Sequence, residues 1–114
     1  MPQSIPMPRI VLTTASNLEE ANRLARILVE EHLAACVSFI PAIQSVYRWQ
    51  GSLESATEVL MLIKSGPDQL ATLESRLLEL HSYQTPEFLV LHVESASHPY
   101  LHWLHASLQP NSGS

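Results

Sequence analysis

At 114 residues the chain is long enough for one domain with one core, and too short for two. A net charge of −5 with no basic stripe argues against nucleic acid as a partner. No run reaches the roughly 18 apolar residues that cross a bilayer, and the proline-rich start, residues 1–8, lacks a charged segment followed by an apolar one, so neither a membrane contact nor a signal peptide is expected.

The hydrophobic share of 46% against 15% charged leaves little surface suited to water, which favours association with other chains. The single cysteine, Cys36, cannot close an internal disulfide and fits a reducing, cytoplasmic setting. Residues 1–8 and 109–114 are expected as flexible ends around one domain at 9–108.

Residues 9–15 are β-branched and apolar and predict a buried strand. Ser16-Asn17-Leu18-Glu19 reads as a capping box. Ala21, Leu24, Ala25 and Leu28 follow at helical spacing, which predicts an amphipathic helix over 17–33. Two β-prone runs, 37–49 and 57–64, flank a polar turn containing Gly51 and predict a hairpin with a longer loop. Pro41 cannot donate to a ladder, so it marks a bulge, a bend or an edge. Val59, Met61 and Ile63 fall on one face of the second run, Leu60 and Leu62 on the other, so this strand needs cover on both sides.

Pro67 opens a second helix with Leu70, Leu73, Leu77 and Leu80 on its core face. A loop at 82–87 precedes another buried strand over 88–93. A third helix over 100–108 carries Leu101, Leu104 and Leu108. The order β-α-β-β-α-β-α is an α+β arrangement of the split βαβ kind with an extra C-terminal helix. It places an antiparallel sheet under two helices and leaves its other face bare unless a partner covers it.

The residues that now stand out are Thr13-Thr14-Ala15, Leu33-Ala34-Ala35-Cys36-Val37, Ile40-Pro41, Ser45-Val46-Tyr47-Arg48-Trp49-Gln50-Gly51, Glu54, Glu58-Val59, Lys64, Tyr83-Gln84-Thr85-Pro86-Glu87 and Tyr100-Leu101 with Trp103-Leu104. In this combination, spanning 10–108, the chain resembles the CutA family of divalent-ion tolerance proteins. The resemblance implies a ferredoxin-like βαββαβ subunit with a long hairpin between its second and third strands. It also implies a homotrimer joined at sheet edges, fold kinship with PII-like signalling proteins, and a cytoplasmic setting. The family name implies a link to metal tolerance, chiefly copper, that specifies no catalytic reaction; a small-molecule or signalling role is the competing idea at family level. Where some members carry a cysteine late in the first strand this chain has Thr13. A site built on two thiolates of one subunit is therefore unavailable, which disfavours Cu(I).

Cys36 is a candidate thiolate ligand, although beside Ala35 and Val37 a small buried hydrophobe is the plainer role. His81 and Glu87 bracket the loop after the second helix and are candidate ligands for Cu2+ or Zn2+. The plainer roles there are a helix-ending histidine and, in Tyr83, a turn anchor. His98, His102 and His105 form one helical stripe, and two histidines at i and i+4 can hold a metal. A polar helix face explains the same spacing. Lys64, Glu58, Tyr47, Trp49 and Tyr83 are expected to line a cleft between subunits that holds a small anion or metabolite. A solvated border explains the charges equally. Tyr47, Trp49 and Trp103 are expected at the trimer interface.

The three glycines, at 51, 66 and 113, form no phosphate loop, and no His-Glu-x-x-His or Cys-x-x-Cys is present, so no enzyme activity is expected. The readings are thus a trimeric metal-binding protein, a PII-like carrier of a small molecule, or a structural scaffold.

Overall fold

Alternation decides the first strand. In β1 (Arg9–Ala15) the odd positions Val11, Thr13 and Ala15 are fully buried. The computed structural model describes residues 5–110. The ends expected to be flexible thus fall partly outside the described residues, at 1–4 and 111–114. Pro8, in the described part of the N-terminal end, is buried against the domain.

Helix α1 (Leu18–Glu30) follows. Its cap lies one residue later than the sequence pattern predicts. Asn17 is the cap and accepts from the Glu20 amide at 2.8 Å, while the Glu20 carboxylate reaches back to Ser16. The helix ends earlier than expected, because His32 turns left-handed at φ 60° and the Leu33 and Ala34 amides both close onto the Leu28 carbonyl.

β2 (Cys36–Trp49) and β3 (Ser52–Ser65) are long paired strands. Pro41 behaves as expected: the register slips between Ile40 and Ile43, Ala42 takes φ 61°, and β2 is an edge strand. The connection is shorter than the predicted loop. It is a two-residue turn of Gln50 and Gly51, both at positive φ (49° and 84°), the combination whose twist suits a hairpin.

A 3-10 turn (Pro67–Gln69) leads into α2 (Leu70–Leu80). β4 (Leu89–His92) and α3 (His98–Ser107) complete the chain. The sheet order is β2-β3-β1-β4, with every neighbouring pair antiparallel.

Both long helices lie on one face. Leu24 and Leu28 of α1 and Leu73 and Leu77 of α2 close over Val11, Val59, Met61 and Ile63. The other face has no such cover. Ile10, Leu12, Leu60 and Leu62 are only half-buried there, and Leu89 is 54% exposed. Helix α3 closes one end only, seating Leu104 and Leu108 on Ala35. β4, predicted as a buried strand, is exposed along its whole length. It is an edge strand, and its register places Leu89 and Leu91 beside Leu12 and Ile10 on the uncovered face.

The hairpin outruns the sheet. β1 pairs with β3 only from Val59 to Ser65, so 52–58 pairs with β2 alone. This two-stranded ribbon carries exposed Val46, Tyr47, Trp49 and Leu53, the last 72% exposed. A lone two-stranded ribbon is marginal in water.

Candidate functional site

The ribbon leaves the sheet at Glu58, where the loop after α2 crosses the end of β1. The two segments bound an open groove of about 660 Å³, lined by Thr14, Ser45, Tyr47, Trp49, Glu58, Tyr83 and Glu87 among others. Glu58 is its centre. It is buried, and Tyr83 donates its hydroxyl to Glu58 Oε2 at 2.7 Å. Burial works against the charge on Glu58. Hydroxyls of Ser45, Tyr83 and Thr14 outweigh it and hold the carboxyl below its ordinary range. Burial, and then the Glu58 carboxylate, push the Tyr83 phenol up. Glu87 moves the other way from Glu58: burial and the neighbouring Glu58 charge raise its carboxyl. The groove thus holds one fixed carboxylate and a second acid that the first repels.

His81 does not face this groove as a ligand. Its side chain is fully buried. Nε2 lies 2.6 Å from the Thr14 carbonyl, and the Tyr83 amide donates to Nδ1 at 3.0 Å. A ring that accepts at Nδ1 and faces a carbonyl at Nε2 is the neutral Nε2–H tautomer, with no lone pair left for a metal. Its role is to tie the loop to β1. Glu20 supports the same corner. Oε1 accepts from the Ser16 amide (2.9 Å) and hydroxyl (2.8 Å), and Oε2 accepts from the Ser82 amide at 2.8 Å. Burial opposes the charge, but these bonds win and bring the Glu20 carboxyl down to about 2.

The metal set His81, Glu87 and Cys36 is not assembled within the chain. Among the described residues no three His, Cys, Asp or Glu side chains come together as a metal cluster. Cys36 pairs with Lys64 at the far end of the sheet, while Glu58 pairs with Ile43 at the root of the ribbon. Lys64 is likewise separated from Glu58, Tyr47, Trp49 and Tyr83. Six residues of extended strand put roughly 20 Å between Lys64 and Glu58. Lys64 donates to Ser38 Oγ at 2.6 Å and approaches Cys36 Sγ at 3.9 Å. It lines a second hollow of about 280 Å³ with Ile10 and Tyr100. Trp103 lies against Tyr100 with ring centres 5.5 Å apart and ring planes inclined at 36°, both exposed.

Thr14 and Ser45 stood out only as parts of matched motifs and were not expected as site residues, yet their hydroxyls help hold the charge on Glu58. Thr14 stands at an even position of β1, on the face of Glu58 and Leu60, and strand parity alone could have found it. Ser45 reaches that face only because of the bulge after Ile40, which shifts the parity of the outer half of β2. Sequence reasoning missed Glu20, whose distant partner Ser82 gives no local signal.

The chain matches the sequence model of the CutA1 divalent ion tolerance protein family over residues 9–107. It is 46% identical to the divalent-cation tolerance protein CutA of Pectobacterium atrosepticum, covering 88% of this chain and 91% of that protein. The structure of CutA from Synechococcus elongatus superposes with TM-score 0.87 at 44% identity, covering 95% of each chain. The periplasmic divalent cation tolerance protein CutA of Archaeoglobus fulgidus superposes with TM-score 0.87 at 35% identity, covering 90% of this chain and 100% of that one. The four-stranded antiparallel sheet, the helices on one of its faces and this match over almost the whole domain agree: the chain belongs to the CutA1 divalent ion tolerance protein family.

Proposed function

We propose that this chain serves divalent-cation tolerance as a non-enzymatic, cytoplasmic homotrimer whose ligand enters the Glu58–Tyr83–Glu87 groove. Family membership supports the tolerance role. The uncovered sheet face and the unsupported ribbon support self-association, since both are apolar and neither is finished within one chain.

One observation carries the site. Glu58, Tyr83 and Glu87 line one open groove, with the Tyr83 hydroxyl on the buried Glu58 carboxylate at 2.7 Å. Burial first, and then the Glu58 charge, raise the carboxyl of Glu87, and a cation in the groove would offset both. The polar groups of the lining are carboxylate, phenol and hydroxyl oxygen, donors that suit a hard divalent ion best, hold Zn2+ or Cu2+ more weakly through the carboxylates, and do not suit thiophilic Cu(I). Two carboxylates are too few for a closed site, so the remaining donors come from water, a second copy or a small molecule that brings the ion.

Isothermal titration with Zn2+ and Cu2+ tests this. A binding component weakened about tenfold or more in both Glu58→Gln and Glu87→Gln, and kept in His81→Gln, is expected. Unchanged titrations in both glutamate variants would remove the groove from the account.

A second reading, a PII-like carrier of a small metabolite, is favoured by the size of the groove and its walls of Tyr47 and Trp49. Its acidic lining selects against an anion, and Lys64, the side chain first expected to attract one, lies elsewhere. A thermal-shift screen of cationic and zwitterionic metabolites tests it, and Tyr83→Phe should abolish any shift that arises from this site.

A further inference from the structure

The C-terminal helix carries imidazoles that the groove does not use. His98 and His102 stand one turn apart on α3, both exposed, with ring centres 6.1 Å apart and ring planes inclined at 30°. No hydrogen bond to either ring is found among the described residues, so their nitrogens are free for another partner. His105 belongs to the same stripe in sequence but not in space. It is half-buried and lines the crevice beside Gly66 and Gln69. The stripe therefore resolves into a pair and an outlier.

We propose that His98 and His102 form a bidentate surface site for a first-row divalent ion of the Cu2+ or Zn2+ class, separate from the groove. The spacing permits it. Metal–nitrogen bonds of about 2.0–2.1 Å place an ion roughly 3.2 Å from each ring centre, so two rings sharing one ion have centres no more than about 6.4 Å apart. That ceiling belongs to a linear nitrogen–metal–nitrogen angle; an ion holding the two rings at a tetrahedral or right angle wants centres roughly 4.5–5.2 Å apart. From the observed 6.1 Å, rotation of the two exposed side chains has to draw the rings together by roughly 1–1.6 Å. The backbone need not move, because α3 is already fixed by Leu101, Leu104 and Leu108 on its buried face.

Two neutral imidazoles are borderline ligands, and among divalent ions they rank Cu2+ above Ni2+ and Zn2+. A chelate with only two protein donors leaves the other positions to water. Its affinity is modest, it exchanges quickly, and it fills only when the free ion is abundant. It differs from the groove in ligand atoms: nitrogen here, oxygen there.

Titration of the full chain with Cu2+, followed by calorimetry and electron paramagnetic resonance, tests the assignment. A spectrum with two imidazole nitrogens on one copper is expected. His98→Gln and His102→Gln should each weaken that component about tenfold or more, while His105→Gln and Glu58→Gln leave it in place. Equal copper affinity and the same nitrogen count in the His98 and His102 variants would overturn the proposal. So would loss of the signal in His105→Gln alone. Because the groove test reads the glutamate variants and this one reads the histidine variants, either can fail alone.

Discussion

The two faces of the sheet are built from the same strands yet end in opposite states. Val11, Thr13 and Ala15 of β1 and Val59, Met61 and Ile63 of β3 point under α1 and α2 and are buried. Even positions of the same strands carry residues just as apolar, Leu12, Leu60 and Leu62, and remain half open. The difference lies in what the chain has left to cover them. Two helices fill one side, and α3 reaches only one end of the other. Composition therefore does not decide burial. The supply of covering elements does, and where it runs out the site begins: the groove opens where β1 stops supporting β3.

The covered face should fail first when it is cut. Leu77→Ala, fully buried in α2, is expected to cost about 3 kcal/mol in urea denaturation at fixed protein concentration. A loss below about 1 kcal/mol would mean the helix side does not hold the subunit together.

Acid should strike the corner that joins the two regions. Glu20 sits at about 2 when folded against an ordinary 4.5, so its contribution is complete above about 4.5 and disappears as pH falls toward about 2. It amounts to about 3 kcal/mol. Denaturation from pH 7 to pH 2 should show a fall in stability across that window that Glu20→Gln lacks. Parallel curves for the two proteins would deny the carboxylate this role.

The open face responds differently. Leu89→Asp should leave the circular dichroism of the subunit unchanged while weakening self-association by about 2 kcal/mol, roughly thirtyfold, in sedimentation velocity. An unfolded subunit would mean that the two faces are not separable.

Smaller effects sharpen the contrast within the covered side and the ribbon. Gly51 holds φ 84° with open space around it, so Gly51→Ala loses about 1 kcal/mol through backbone strain rather than collision. Thr13 buries its hydroxyl in the core with no hydrogen-bond partner among the described residues. Thr13→Val keeps the shape and should raise stability by about 1 kcal/mol in thermal melts. Destabilisation instead would reveal a partner for that hydroxyl.

Much of the fold was legible in the chain. The heptad-like leucines of α2, the alternation of β1 and the β-prone runs around Gly51 each report local geometry, and each element appears where its pattern lies. Pro41 announced its bulge because a missing amide has few places to go. The site was legible in parts. Glu58, Tyr83 and Glu87 were singled out, and the fold brings them into one groove. Lys64, Cys36 and His81 were singled out beside them, and the fold distributes them to a second hollow, the far end of the sheet and a saturated hydrogen-bond pair. Residue type announces what a side chain is able to do, not whether its lone pairs are already taken.

Periodicities, breaks between elements and the surplus of apolar strand positions are written along the chain, because these depend on neighbours a few residues away. Which carboxylates share a groove, which imidazoles remain free and which face lies open are settled by folding. Those outcomes depend on contacts between residues far apart in the chain, such as Glu20 with Ser82 and Thr14 with His81, and on a one-residue bulge that shifts the parity of half a strand.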